Sequence, residues 1–130
     1  NAEKCGFEYD SRRILCGNYP MAKAHNVGYE LCQKLIRSGV PFDSVFCLTD
    51  MMALGALKAL FEHGYSVPRD VSVIGCDDLD FTGFFLPALT TIQVDKKAEG
   101  YAYVDFILDD DVSENAVRKI GTKLVERSSV

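Results

Sequence analysis

The chain has 130 residues, with 14 lysines and arginines against 19 aspartates and glutamates, so its formal net charge at pH 7 is −5. This length predicts one domain, because most domains have about 100–150 residues. Apolar residues make up 48% and charged residues 25%, which is typical of a globular protein and excludes a disordered one. No apolar run approaches the roughly 20 residues of a membrane span, and the acidic charge argues against non-specific nucleic-acid binding by these residues.

The first elements alternate between short apolar runs and a helical period. Ile14 to Cys16 is predicted to be a strand, and Ala24 to Ser38 a helix that ends at Gly39. The continuous run Val45 to Leu48 predicts a second strand, buried on both faces. This order indicates a strand–helix–strand unit with parallel strands.

A second unit follows directly. Asp50 is expected to be the N-cap of a helix that continues through His63, with its buried side marked by Leu54, Leu57 and Phe61. Val71 to Ile74 is then a third buried strand.

The repeat breaks after Asp78, where the chain becomes irregular and rich in aromatic residues up to Pro87. Thr90 to Val94 alternates as a strand does, and Lys97 to Leu108 has a helical period. Lys123 to Glu126 is a candidate for the last short strand.

The five cysteines are odd in number and contain no C-x-x-C pair, so they predict neither a metal site nor a disulfide framework. Cys16, Cys47 and Cys76 each end an apolar run and are interpreted as small buried thiols. Free thiols favour a reducing compartment, which indicates the cytoplasm. We expect no metal and no cofactor.

Polar residues gather where the predicted strands end, which suggests a ligand site. In open α/β sheets ligands bind beyond the carboxyl ends of the strands. Tyr19, Thr49, Asp50 and Asp77 occupy those ends. Carboxylates accept hydrogen bonds from sugar hydroxyls or base N–H groups, and an aromatic ring stacks on either ligand. The alternatives are a helix cap for Asp50 and loop packing for Asp77 and Tyr19.

The sequence contains little that supports catalysis, and we expect that the chain is not an enzyme. The two histidines adjoin no candidate nucleophile, and no phosphate-binding glycine motif is present. Asp50, Asp77 and Asp78 could hold Mg²⁺, as in a phosphoryl-transfer domain, but the strand ends supply no lysine or arginine for phosphate charge. The Phe81, Phe84 and Phe85 cluster is open to three interpretations: local core, interface patch or ligand wall.

Three longer segments follow one another between Phe42 and Gln93: FDSVFCLTDMMALGALKAL, GYSVPRDVSVIGCDD and the start of LPALTTIQV. Together with the later KLVERSSV, they resemble the effector-binding domain of the LacI/GalR family of bacterial transcription regulators. The joint pattern is specific, although none of its parts is specific alone.

The resemblance implies a three-layer α/β sandwich with a mostly parallel sheet flanked by helices, one lobe of a fold like type I periplasmic binding proteins. Residues 1–92 would form most of the C-terminal lobe of the effector-binding domain. Residues 93–112 would be a crossover segment related to the N-terminal lobe, and residues 113–130 would return to the C-terminal lobe. The family's DNA-binding headpiece is absent from this chain.

The function that the resemblance implies is ligand sensing in a cytoplasmic transcription regulator, in particular a repressor. A small-molecule effector, a sugar or a purine, would control operator affinity. DNA would be contacted only through the headpiece, and no membrane would be involved. The alternative function for a protein of this fold is that of an exported sugar-binding protein.

The resemblance also assigns roles to residues. Asp77 matches an aspartate that binds ligand hydroxyls or base nitrogens, Thr49 a small polar ligand contact, and Tyr19 a stacking aromatic, with Asp50 beside them. Val94 stands where sugar-binding members often have glutamine, which leaves the ligand class open.

The family's dimer contacts imply a homodimer of this chain. They come from the helix that starts near Met52 and from the loop before Pro87. Phe81 and Phe85 would therefore lie at the interface.

Overall fold

A computed structural model describes residues 10–17, 23–109 and 117–130. The helices are α1 (Ala24–Ser38), α2 (Asp50–Glu62) and α3 (Lys96–Leu108), and the strands are β1 (Ser44–Phe46), β2 (Ser72–Cys76), β3 (Thr90–Val94) and β4 (Thr122–Val125). Two short 3-10 turns lie at Ser11–Arg13 and Thr82–Phe84. None of the helices in these ranges is long and apolar enough to cross a membrane.

The strands form one sheet in the order β1-β2-β3-β4. β1, β2 and β3 run parallel, and β4 pairs antiparallel with β3. Parallel neighbours need a crossover connection, which α2 supplies between β1 and β2. The prediction of an α/β fold with a mostly parallel sheet and flanking helices is confirmed.

The core lies between the sheet and the pair formed by α1 and α2. It consists of buried apolar residues from α1, α2, β2 and the residues that adjoin β1, β2 and β3: Cys32, Cys47, Ala53, Ala56, Leu57, Ala59, Leu60, Val71, Val73 and Leu89. The two helices approach closely because glycine stands on each side of their crossing. A Cβ atom on Gly28 would collide with the backbone carbonyl of Met52, and one on Gly55 with that of His25.

The opposite face of the sheet and α3 carry exposed apolar side chains. Val73 packs in the core, so the pleat turns Ile74 and its register partner Phe46 to the other face, where Phe46 is 60% exposed. α3 buries none of its residues, and Ile107 is 79% exposed. A helix with unburied apolar residues indicates a surface that is meant for contact.

The prediction of a first strand at Ile14 to Cys16 is wrong. The backbone is extended at Ile14, but it pairs with no strand among the described residues. The Asp10 side chain caps the preceding turn by accepting a hydrogen bond from the backbone N–H of Arg12. A cavity of about 540 Å³ separates the segment from α1 and β1.

The cysteine interpretation holds for one thiol and fails for another. Cys47 is buried, as predicted, and burial raises the pKa of its thiol to about 12. Cys16 is exposed because its segment does not join the sheet, and Cys76 is half-buried. Cys32 of α1 is the second buried thiol among the described residues.

The buried side of α2 differs in part from the predicted one. Leu57 is buried, but Leu54 is 38% and Phe61 44% exposed. α2 is apolar around most of its circumference, so its periodicity does not identify the side that packs. The small residues Ala53 and Ala56 face the core because α1 lies close to them.

Candidate ligand-binding site

The carboxyl ends of β1 and β2 lie side by side because the two strands are parallel. Thr49 and Asp50 follow β1, and Asp77 follows β2. The charge of Asp50 and its backbone N–H both act on the Asp77 carboxylate, which places the two residues together. The predicted gathering of these three residues is therefore observed, whereas Tyr19 lies outside the described residues.

Thr49, and not Asp50, is the N-cap of α2. The backbone of Thr49 is extended, and its hydroxyl accepts a hydrogen bond from the backbone N–H of Met52 at 3.2 Å. Asp50 is the first residue inside the helix. Both residue types are strong caps, so sequence alone did not decide between adjacent positions. The half-buried Thr49 hydroxyl acts as the acceptor in this bond, so its proton remains available for donation.

Asp50 is fully buried and supports the loop that follows β2. One of its carboxylate oxygens accepts from the Thr91 hydroxyl at 2.6 Å, and the other accepts from the backbone N–H of Leu79 at 2.9 Å. Gly75 makes room for it, since a Cβ atom there would collide with this carboxylate. Both oxygens of Asp50 are thus engaged by the protein itself.

The loop after β2 holds two aspartates in an uncommon backbone conformation. Asp77 has φ +125° and Asp78 has φ +50°, both in the region that favours glycine. Such residues persist where surrounding contacts hold them, and they concentrate at functional sites. The backbone N–H of Asp77 donates to the Ile92 carbonyl at 2.9 Å, which ties the loop to β3.

The two aspartates then have different surroundings. Burial and the charge of Asp50 raise the pKa of Asp77, and the backbone N–H of Asp50 offsets part of that rise. Asp78 accepts from Arg127 at 2.7 Å and from the Gln93 amide at 2.6 Å. Asp78 is therefore committed to contacts within the chain, and Asp77 is the carboxylate suited to accept bonds from a ligand.

Three residues that support this loop are not among the site residues predicted from the sequence. Thr91, Gln93 and Arg127 come from β3 and from the segment after β4, which follow the loop by 13 to 49 positions. Thr91 and Gln93 are two positions apart on a predicted strand, so their side chains share one face of it. This pattern allows their placement beside the end of β2 to be predicted from the sequence. Arg127 gave no local signal, because its pairing depends on the path of the chain after β4.

No group of three or more His, Cys, Asp or Glu side chains within the described ranges is arranged to hold a metal ion. Two of the aspartates at the strand ends use their carboxylates in bonds within the protein. Asp50 is bonded to the protein through both oxygens, and Asp78 is paired with Arg127.

The loop before Pro87 carries the phenylalanines. The rings of Phe81 and Phe85 pack at 5.7 Å between centroids, and Phe84 and Leu86 are 87% and 88% exposed. A groove of about 310 Å³ separates this loop from α2. Met52 is half-buried against the core, so its side chain is partly used inside the chain.

Comparison with known proteins identifies the family of the chain. A family model described as a periplasmic binding protein-like domain matches residues 2–130. The transcriptional regulator MalR of Clostridium butyricum is 36% identical over 124 residues, which cover 94% of this chain and 36% of MalR. The transcriptional repressor PurR of Pasteurella multocida is 38% identical over 106 residues, which cover 79% of this chain and 32% of PurR. The chain thus spans about a third of the length of these relatives.

The solved structures give the same result. A sugar-binding transcriptional regulator of the LacI family from Escherichia coli, solved with phosphate, superimposes with a TM-score of 0.80 at 30% identity. The match covers 99% of this chain and 46% of that one. These relatives are regulators by name, and the resemblance found in the sequence is confirmed. The chain belongs to the periplasmic binding protein-like domain family, in the form that LacI-family transcription regulators carry.

Proposed function

We propose that this chain is the ligand-sensing part of a bacterial DNA-binding transcription regulator. A small-molecule effector, a sugar or a purine, would control how tightly that regulator binds its operator. The parent regulator, meaning the longer protein that contains these residues, would act as a repressor in the cytoplasm. The chain itself would catalyse no reaction. Its similarity to regulators that are about three times as long supports this assignment.

The observation that carries the proposal is the placement of Asp77. Its carboxylate stands at the carboxyl ends of parallel strands, next to Asp50 and Asp78, whose carboxylates are bonded to the protein. Thr49 lies beside it as a hydroxyl donor, and Tyr19 would stack on the ligand. We do not include Asp50 among the proposed ligand contacts, because both of its oxygens are engaged by the protein. Asp50 would instead support the site.

The effector would lie between two lobes. Residues 1–92 and 113–130 would belong to the C-terminal lobe, and residues 93–112 would cross to the N-terminal lobe. The absence of buried residues in α3 supports this division, because its apolar side chains need a partner that the described residues do not supply. DNA would be bound by a headpiece outside this chain.

The parent regulator would form a homodimer through the phenylalanine loop and the start of α2. The exposure of Phe81 and Phe84 supports this contact, since apolar surface of this kind marks interfaces, whereas Phe85 is partly buried against the core. Phe81 and Phe85 would face the partner copy, with Met52 contributing at its exposed edge. Light scattering of the parent regulator should give the mass of two chains, and a mass of one chain at high concentration would count against it.

The decisive experiment is a titration of the parent regulator with sugars and purine bases. Asp77→Asn should weaken the binding of any ligand that the wild type binds by about 10- to 100-fold, because a charge-assisted hydrogen bond contributes about 1.5–3 kcal/mol. Asp80→Asn, on the exposed part of the same loop, is the matched control and should bind normally. Unchanged affinity in the Asp77 variant would reject the site.

A further inference from the structure

We propose that Arg127 is a positioning residue of the ligand site: through Asp78 it holds the loop that presents Asp77. The inference deepens the proposed function and rests on it, since it assumes that Asp77 contacts the effector. Arg127 lies 49 positions after Asp78 in the sequence, and nothing in its local pattern marks it as part of the site.

The guanidinium group is anchored on two sides. One terminal nitrogen donates to the Asp78 carboxylate at 2.7 Å. The other donates to the Leu89 carbonyl at 2.7 Å and to the Thr82 hydroxyl at 3.1 Å. Only 24% of the Arg127 side chain and 14% of the Asp78 side chain are exposed, so water competes weakly for this pair.

The loop needs such a contact because of its backbone. Asp77 and Asp78 both have positive φ, a conformation that persists only where surrounding contacts hold it. The Gln93 amide also binds Asp78, but it is neutral, and the bond from the backbone N–H of Asp78 to the Thr91 hydroxyl is long at 3.4 Å. The charged bond from Arg127 is therefore the strongest restraint on Asp78.

The backbone around Arg127 is fixed without its side chain. The Ser129 hydroxyl donates to the Val73 carbonyl at 2.6 Å and accepts from the backbone N–H of Thr90 at 2.8 Å. The backbone N–H of Arg127 itself donates to the Thr90 hydroxyl at 2.9 Å. Removal of the guanidinium group thus leaves the segment anchored, which separates positioning of the loop from folding of the lobe.

The test compares three single variants of the parent regulator and, in addition, Arg127→Met in an Asp78→Asn background. Arg127→Met removes the charge and keeps the aliphatic length, and Arg127→Lys keeps the charge but loses the planar fork that binds two sides at once. Arg69→Met is the matched control, because it removes an arginine–aspartate pair whose arginine side chain is 77% exposed. Amide hydrogen exchange of residues 77–79 and dissociation constants for maltose, cellobiose, adenine and guanine are measured for each.

Arg127→Met should raise exchange of the loop amides by about tenfold while the core amides of α2 keep wild-type protection. It should weaken binding of each probe that the wild type binds by about three- to tenfold, and Arg127→Lys should recover part of that loss. Arg69→Met should change neither. In an Asp78→Asn background, Arg127→Met should add no further loss, because the arginine acts through that carboxylate.

Unchanged loop exchange in Arg127→Met would overturn the inference. So would a loss of affinity from Arg127→Met that is as large in the Asp78→Asn background as in the wild type. Increased exchange throughout α2 would also overturn it, since the arginine would then act on stability and not on the loop. If no probe binds the wild type, the ligand classes of the proposed function fail, and the exchange measurement still decides whether Arg127 holds the loop.

Discussion

Asp50 and Asp77 show how two carboxylates in contact take different roles. Asp50 is fully buried and accepts two hydrogen bonds from its own chain, so its oxygens are unavailable to a ligand. Asp77 lies next to that charge in a loop with positive φ, and it keeps a carboxylate that is open to new bonds. Of the two carboxylates, Asp77 is therefore the one that we propose contacts a ligand.

The raised pKa of Asp77 leads to a prediction about stability. Because the folded state disfavours the charged carboxylate, Asp77 lowers the free energy of unfolding above its folded pKa. That penalty decreases as the pH falls through the raised folded pKa and is gone below 3.8, the value of an ordinary aspartate. Asp77→Asn should therefore be more stable than the wild type at pH 7, and its advantage should shrink toward pH 3.8 in urea unfolding.

Asp70 provides a control of opposite sign. Hydrogen bonds from Arg69 and from the backbone N–H of Ser66 lower its pKa to about 2, so its charge favours the folded state above pH 3.8. Asp70→Asn should lose stability at pH 7, and this loss should disappear as the pH falls through about 2. The same pH trend in both variants would contradict the assignment of Asp77.

At the level of elements, α1 and α2 form a helix pair whose contact depends on glycine. Gly28 and Gly55 let each helix approach the backbone of the other, and the buried residues of α2 nearest the contact are small. Leu31 and Cys32 of α1 and Leu60 of α2 are also buried. This pair supports the start of α2, where the Thr49 cap and Asp50 lie.

Replacement of a helical glycine by alanine should have opposite effects in α2 and α3. Gly55→Ala should lower the free energy of unfolding by about 1–3 kcal/mol or more, because the added methyl meets backbone atoms that cannot move away. Gly100→Ala should raise it by roughly 0.5–1 kcal/mol, since nothing lies within 4 Å of the new Cβ and alanine favours the helix. Urea unfolding of the two variants measures both changes, and a loss of stability in the second would show that α3 is packed.

How far the sequence predicts these elements depends on how local their signals are. The predicted bounds of α1 and β3 match the observed ones, because a glycine stop with φ +69° marks the end of α1 and the alternation from Thr91 to Val94 marks β3. The predicted strand at Ile14 is wrong, because a three-residue apolar run carries no signal that specifies a pairing partner. The same limit applies to the site: Asp77 follows its strand directly, whereas Arg127 reaches the site only through tertiary structure.

On the scale of the whole molecule, apolar surface is concentrated where the described chain has no covering layer. Phe46 and Leu124 are more than half exposed on the sheet, and Tyr101 and Ile107 are exposed on α3. A sheet face and a helix with this composition are normally buried. The chain spans about a third of its relatives, so we propose that residues of the parent regulator outside this chain cover these surfaces.

A charge on α3 should distinguish the isolated chain from the parent regulator. Ile107 is 79% exposed here, so Ile107→Glu should change the free energy of unfolding of the 130-residue chain by less than about 0.5 kcal/mol. In the parent regulator, where α3 would pack on the other lobe, the same variant should lose at least about 2 kcal/mol through burial of an unpaired charge. Lys34→Glu, on the exposed side of α1, should affect both proteins equally in urea unfolding. Equal effects of Ile107→Glu would place α3 at the surface of the parent and reject the division at residue 93.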